Sequence, residues 1–155
     1  MAGESELTQR ALERVAACDN PKELRRIAEN AKRLENDEVA RAAQRKLYAV
    51  SPDAEPGTFE HDVWQSIFAL EGALTDERGK TTLLARTRQK IARQGELDTV
   101  ADLIRKPPSD GYKMLVDRSW PELTFEAVAL RHPERFEAHI LEAAMARLDA
   151  SGVEV

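Results

Sequence analysis

The sequence predicts an all-α protein: a compact single-domain helical bundle of about seven to nine short helices, ordinary for a chain of 155 residues. Apolar residues recur at three- and four-residue spacing along most of the chain, which gathers them on one face of a helix. Asp, Asn, Ser, Thr and Pro stand where such segments begin. Strand signals are missing. No stretch alternates β-branched and aromatic residues with polar ones, and the Asp110-Gly111 pair lies between IRKPPS and YKMLVDR, which read as loop and helix.

Taken in order, ELTQRALERVAAC places Leu7, Ala11, Leu12, Val15 and Ala16 on one face. In CDNPKELRRIAENAKRL, Asp19 or Asn20 can cap, Pro21 fits the first turn, and Leu24, Ile27, Ala28, Ala31 and Leu34 form the apolar stripe. ENDEVARAAQRKLYAV turns Val39, Ala42, Ala43, Leu47 and Val50 inward. Joints this short make antiparallel neighbours. SPDAEPGT, with two prolines and a glycine, breaks the pattern. It divides residues 1–50, an N-terminal helical hairpin region, from 51–155, the main helical region, with one folded unit expected from the two.

Thr58 can cap the next helix, expected to run to about Leu74 and to be the central one. Its residues Phe59, Val63, Trp64, Ile67, Phe68, Leu70 and Leu74 cover more than half its circumference. A turn at TDERG follows, then a basic helix capped by Thr81 or Thr82 and stopped by Gly95. Asp98 or Thr99 can cap TVADLIRK, which Pro107-Pro108 ends, and Ser109 can cap DGYKMLVDR. Pro121 and Pro133 sit near the starts of PELTFEAVALRH and PERFEAHILEAAMARLDA, and the tail SGVEV is expected to fray. Met114, Leu115, Val116, Trp120, Leu123, Phe125, Val128 and Leu130 read as core, with Trp120 a packing plug at a corner rather than a partner anchor.

Cys18 is the only cysteine, so an intramolecular disulfide and a Cys-rich zinc site are excluded. It reads as a small residue at a helix end. No apolar run approaches the roughly 20 residues that span a bilayer, and MAGESELTQR lacks a secretory pattern. The expectation is a cytoplasmic protein with no membrane partner.

Net charge is −5, yet the charge is unevenly spread. Arg78, Lys80, Arg86, Arg88, Lys90 and Arg93 fall between Arg78 and Gly95 with no acid among them, a basic island on an otherwise acidic chain. Gly79-Lys80-Thr81 resembles the end of a phosphate-binding loop only superficially. A Walker A loop needs a glycine at position 74, which is Leu74, and a buried strand before it, whereas VWQSIFALEGAL has helical period. Gly79 reads as a turn and Lys80 as solvated.

On the basic helix, Arg86, Lys90 and Arg93 lie within about 60° of one another at 100° per residue, flanked by Thr82, Gln89 and Gln94. Such a face offers phosphate contacts and donors for base edges. Leu84, Ala85, Ile91 and Ala92 form the opposite, docking side. Arg88 falls in the middle of that side, so it is expected to pair with an internal carboxylate, because a buried unpaired charge is costly. GELDTVADLI can complete a helix-turn-helix-like corner.

His61, His132 and His139 have no metal-ligand spacing, and no catalytic or cofactor motif is present, so no catalytic residue, cofactor or metal is expected. Glu60/Asp62 and Asp76/Glu77 lie at helix ends, where dipole interactions or solvation explain them. The expected function is a small non-enzymatic nucleic-acid-binding protein, DNA rather than RNA, using Lys80, Thr82, Arg86, Gln89, Lys90 and Arg93. The alternative is a helical protein-interaction adaptor with an acidic surface; a third is an enzyme built from dispersed carboxylates.

Overall fold

A computed structural model describes residues 2–153. Among them it forms nine α-helices and two 3-10 turns, with no strand. The chain packs as two compact units, Met1–Pro52 and Asp53–Val155.

In the first unit, α1 (Ala2–Ala17), α2 (Pro21–Arg33) and α3 (Asp37–Val50) pack through small residues. Asn20 caps α2, its Oδ1 accepting from the amides of Lys22 (2.9 Å) and Glu23 (3.3 Å), with Pro21 in the first turn. Asn36 caps α3 through the Val39 amide. Val15, Leu24, Ala28 and Ala43 form one buried cluster, and Ala31, Val39 and Ala40 another. Alanines bring helices close but make a narrow seam, so the expected stripes are only partly covered. Leu7 is 64% exposed and Leu34 74% exposed, and Ala16 is exposed too, against the expectation that all three face inward. Leu34 lies past the last turn of α2, where the chain turns away. Glu35 then takes φ 59°, and the Asn36 amide reaches back to the Ala31 carbonyl at 2.8 Å.

The second unit holds α4 (Phe59–Arg78), α5 (Ala85–Gln94), α6 (Glu96–Arg105), α7 (Asp110–Asp117), α8 (Phe125–Arg131) and α9 (Ala138–Ala150). α4 is the central helix. Thr58 caps it through the His61 amide (3.1 Å), and it buries side chains from Phe59 to Ala73. It runs one turn beyond the expected end at Leu74, through Asp76 and Glu77 to Arg78, and of these Arg78 favours a helix C-terminus. Gly79, with φ 72°, then closes it. Val63, Ile67, Val100, Ile104, Val128, Ile140 and Ala144 from four helices meet in the core.

Other boundaries differ from the sequence reading too. α6 begins at Glu96 with no side-chain cap. Thr99 is inside it and buried, its hydroxyl donating to the Gly95 carbonyl at 2.8 Å. The two proline-led segments are each broken: Pro121–Leu123 and Pro133–Arg135 are 3-10 turns. Thr124 caps the helix proper in the first case, and α9 starts only at Ala138 in the second. Proline favours the first turn, but the extended residues Thr124, Phe136 and Glu137 stop the turn from continuing. Ser109 caps α7 as its sequence implies. Of the expected tail, Val153 returns its amide to the Leu148 carbonyl (3.0 Å) and Ser151 meets the Tyr112 hydroxyl (2.8 Å); positions 154 and 155 lie outside the described residues.

Trp120 is 6% exposed, a plug as expected. The turn that delivers it has Ser119 at φ 62°, with the Trp120 amide bonded to the Leu115 carbonyl at 2.9 Å. A left-handed residue with a Cβ costs about 1–2 kcal/mol relative to glycine, less the glycine's extra chain entropy. Ser119→Gly is therefore expected to raise stability by about 1 kcal/mol in urea unfolding; an unchanged or lower midpoint contradicts this account of the turn.

Candidate nucleic-acid interface

The basic helix α5 is held to α4 by one carboxylate. Glu71, 5% exposed, receives both Nε and Nη2 of Arg88 at 2.7 Å and the Leu84 amide at 2.8 Å. The Arg88 guanidinium also lies over Trp64 (5.2 Å) and Phe68 (5.7 Å), so its flat faces meet aromatic rings while its edge meets the acid. Hydrogen bonding to Glu71 holds the Arg88 pKa above its usual value.

This arrangement answers the expectation of an internal partner for Arg88, and it corrects the expected cap. Neither Thr81 nor Thr82 starts the helix. The Thr82 hydroxyl donates to the Lys80 carbonyl and its amide donates to Thr75 Oγ1, both at 3.0 Å. α5 begins three residues later, at Ala85, with no side-chain cap of its own, and Glu71 takes the amide at its start. A buried acid from another helix outcompetes a local hydroxyl because it satisfies a cation and an amide together. Of the expected docking side, Ile91 is buried and Leu84 half-buried, but Ala85 and Ala92 are exposed.

The cations of α5 divide into two groups. Lys90 is half-buried and its Nζ lies 3.1 Å from Asp102 on α6, where Gln94 also donates at 2.9 Å. Arg105 reaches the other oxygen of Asp102 at 2.9 Å. Arg86, Gln89 and Arg93 are exposed, and among the described residues no ion pair or side-chain hydrogen bond occupies them. Lys80 is exposed in the loop before the helix. The outward face is thus Arg86, Gln89 and Arg93 with Lys80 nearby in sequence, while Lys90 and Thr82 are engaged within the chain.

Gly95 alone joins α5 to α6, giving a tight two-helix corner. A helix-turn-helix puts its second helix into the groove. Here that helix carries Glu96, Asp98 and Asp102, so the corner has the wrong sign in the reading position. Gly79-Lys80 follows a helix rather than a strand, so it is no phosphate-binding loop.

Of the three histidines, His61 is buried and His132 half-buried. His132 Nε2 meets Asp62 Oδ2 at 2.7 Å, joining the end of α8 to the start of α4, and Arg131 stands 3.6 Å from the same oxygen. His139 lies on the surface against Glu137 (3.3 Å). Among the described residues, no three His, Cys, Asp or Glu side chains are grouped to hold a metal. Among the same residues, no helix is long and apolar enough to cross a membrane.

Sequence reasoning missed a second buried charge pair. Glu126 and Arg147 are joined within the second unit, and Arg147 also donates to the carbonyls of Ile104 (3.0 Å) and Lys106. The signal was there: each is a lone charge inside an apolar run, FEAVAL and AAMARL. Comparison with protein families, curated proteins and solved structures finds no match to this chain.

Two tests follow from the clamp and the corner. Arg88→Ala leaves the Glu71 carboxylate buried without its cation and is expected to cost about 3 kcal/mol in chemical denaturation. Glu71→Leu with Arg88→Met should recover much of that loss, and a single variant as stable as wild type contradicts the clamp. At the corner, hydrogen bonds from Gln94 and Lys90 hold the Asp102 carboxyl at about 2. Its unfolded value is about 3.9, so its contribution is fully present above that pH and is lost as pH falls through about 2. Asp102→Asn is expected to remove this part of the acid sensitivity; an unchanged unfolding midpoint against pH between about 4 and 2 shows that Asp102 contributes none.

Proposed function

We propose that the protein is a small non-enzymatic nucleic-acid-binding protein that lays the outward face of α5 on phosphates. The observation that carries this reading is the pair Arg86 and Arg93. Both are exposed and without an ion pair among the described residues, on a helix whose far side is fixed through Arg88. They stand seven residues apart, about 10 Å along the axis, which is more than one phosphate spans, so they address different phosphates. Gln89 between them can donate to and accept from a base edge. An α-helix fits the major groove of duplex DNA, whereas that of A-form RNA is too deep and narrow, and this favours DNA.

The rest of the chain limits how tightly such a face binds. With a net charge of −5, long-range attraction is weak and contact depends on the local cations. Two or three phosphate contacts from Arg86, Arg93 and Lys80 are expected to give a log–log salt slope of about −2 to −3 on duplex DNA. Arg86→Ala and Arg93→Ala should each flatten that slope by about 0.9 while leaving the melting temperature unchanged. Asp102→Asn, which releases Lys90, should steepen it. Anisotropy titrations of a short labelled duplex read all of these. Equal binding by wild type and the Arg86→Ala/Arg93→Ala double variant removes the reading.

One observation favours the second reading, a protein-interaction adaptor. The first unit carries a shallow groove of about 800 Å³ edged by the exposed Leu7 and Leu34. Exposed leucines beside a groove are a common docking feature. Failure of the DNA titration moves the function to this surface.

A further inference from the structure

The second unit contains a cleft that the nucleic-acid reading does not use. It has a volume of about 350 Å³. That lies within the roughly 300–1,000 Å³ of small-molecule sites, and is about twice the cavity of some 150 Å³ that holds one benzene ring. Leu70, Leu74, Leu84 and Leu115 line its apolar wall together with Tyr112 and Phe125.

The cleft depends on two local features. Gly111, in the first turn of α7, lets that helix lie against α4: a Cβ there would stand 2.8 Å from Leu70 Cδ2. Arg147 bonds at once to Glu126 on α8 and to the carbonyls of Ile104 in the last turn of α6 and Lys106 just after it, which fixes the far side. Its guanidinium sits 5.9 Å from the Tyr112 ring, and the Tyr112 hydroxyl donates to the Arg147 carbonyl at 3.1 Å. Both charges of this pair line the cleft, and they cancel, so the lining there is polar but carries no net charge.

The remaining charged lining residues are exposed: Arg78, Lys106 and Asp110. Among the described residues none of the three has an ion pair or a side-chain hydrogen bond. Two cations against one carboxylate leave a net positive edge on an apolar, partly aromatic cleft. We propose that this cleft binds a small planar carboxylate of one or two rings, with the rings between the leucines, Tyr112 and Phe125 and the carboxylate toward Arg78 and Lys106. Apolar burial supplies the affinity and the cations select the anion. This inference does not rest on the DNA reading, because the cleft and its ligand act without nucleic acid.

The test is isothermal titration calorimetry of the full chain with 2-naphthoate, against the uncharged 2-naphthalenemethanol. Naphthoate is expected to bind and the alcohol to bind roughly tenfold or more weakly, since the charged hydrogen bonds are lost. Arg78→Gln with Lys106→Gln, both at exposed positions that leave the fold intact, should weaken naphthoate by a similar factor and leave the alcohol unchanged. Leu74→Trp, which fills the cleft, should abolish binding of both. No heat with naphthoate, equal affinity for the alcohol, or full affinity in the Arg78→Gln/Lys106→Gln variant each overturns the proposal.

Discussion

Glu71 is an acid in the middle of a buried helix, and the second unit is arranged around satisfying it. An isolated carboxylate at that depth is prohibitively costly, so it needs a cation and further donors. Arg88 supplies a two-pronged pair and Leu84 supplies an amide. Those donors belong to α5, a ten-residue helix with only Ile91 fully buried. A helix that short and that polar has little reason to dock by apolar contact alone. The ion pair, with the guanidinium lying over Trp64 and Phe68, replaces the missing hydrophobic face. Which side of α5 is outward follows from it: once Arg88 points in, Arg86 and Arg93 point out.

How much of this was legible depends on whether the deciding contact is local in sequence. Helix starts at Asn20, Thr58 and Ser109 were readable because a cap and the amide it accepts are two or three residues apart. The inward position of Arg88 was readable from helical period and the cost of burying charge. The true start of α5 was not, because the group that takes its first amide is thirteen residues away on another helix. Leu34 was misplaced because periodicity assumes a helix that continues, and α2 stops there. The division among the cations was equally hidden. Lys90 and Arg86 look alike along the helix, and only the placing of Asp102 on α6 separates them. The apolar cleft needed six helices to be in place before its existence was visible at all.

Charge in the second unit is used at short range. Glu71, Asp62, Asp102 and Glu126 each hold a cationic or protonatable partner from another helix. Four such ties, each crossing between helices, order a unit whose helices are mostly short. The cations left over, rather than the total, then decide what the surface can attract. A count of basic residues overstates the α5 face, because one of its arginines and its lysine are already committed.

Gly95 carries a consequence of a different kind. It ends one helix and begins the next at φ 88° and ψ 169°, a torsion pair that only glycine adopts without strain. Yet nothing lies within 4 Å of where its Cβ would be. The position is therefore closed to substitution by torsion and not by space, and neither trimming a neighbour nor choosing a smaller side chain would open it. Length is constrained as tightly as identity. One residue added inside α6 would turn everything after it by about 100° relative to α5. Asp102 would leave Lys90 and Gln94, and the lysine would join the outward charge. A single-residue indel at this joint would thus change the surface electrostatics of the protein without altering any charged residue.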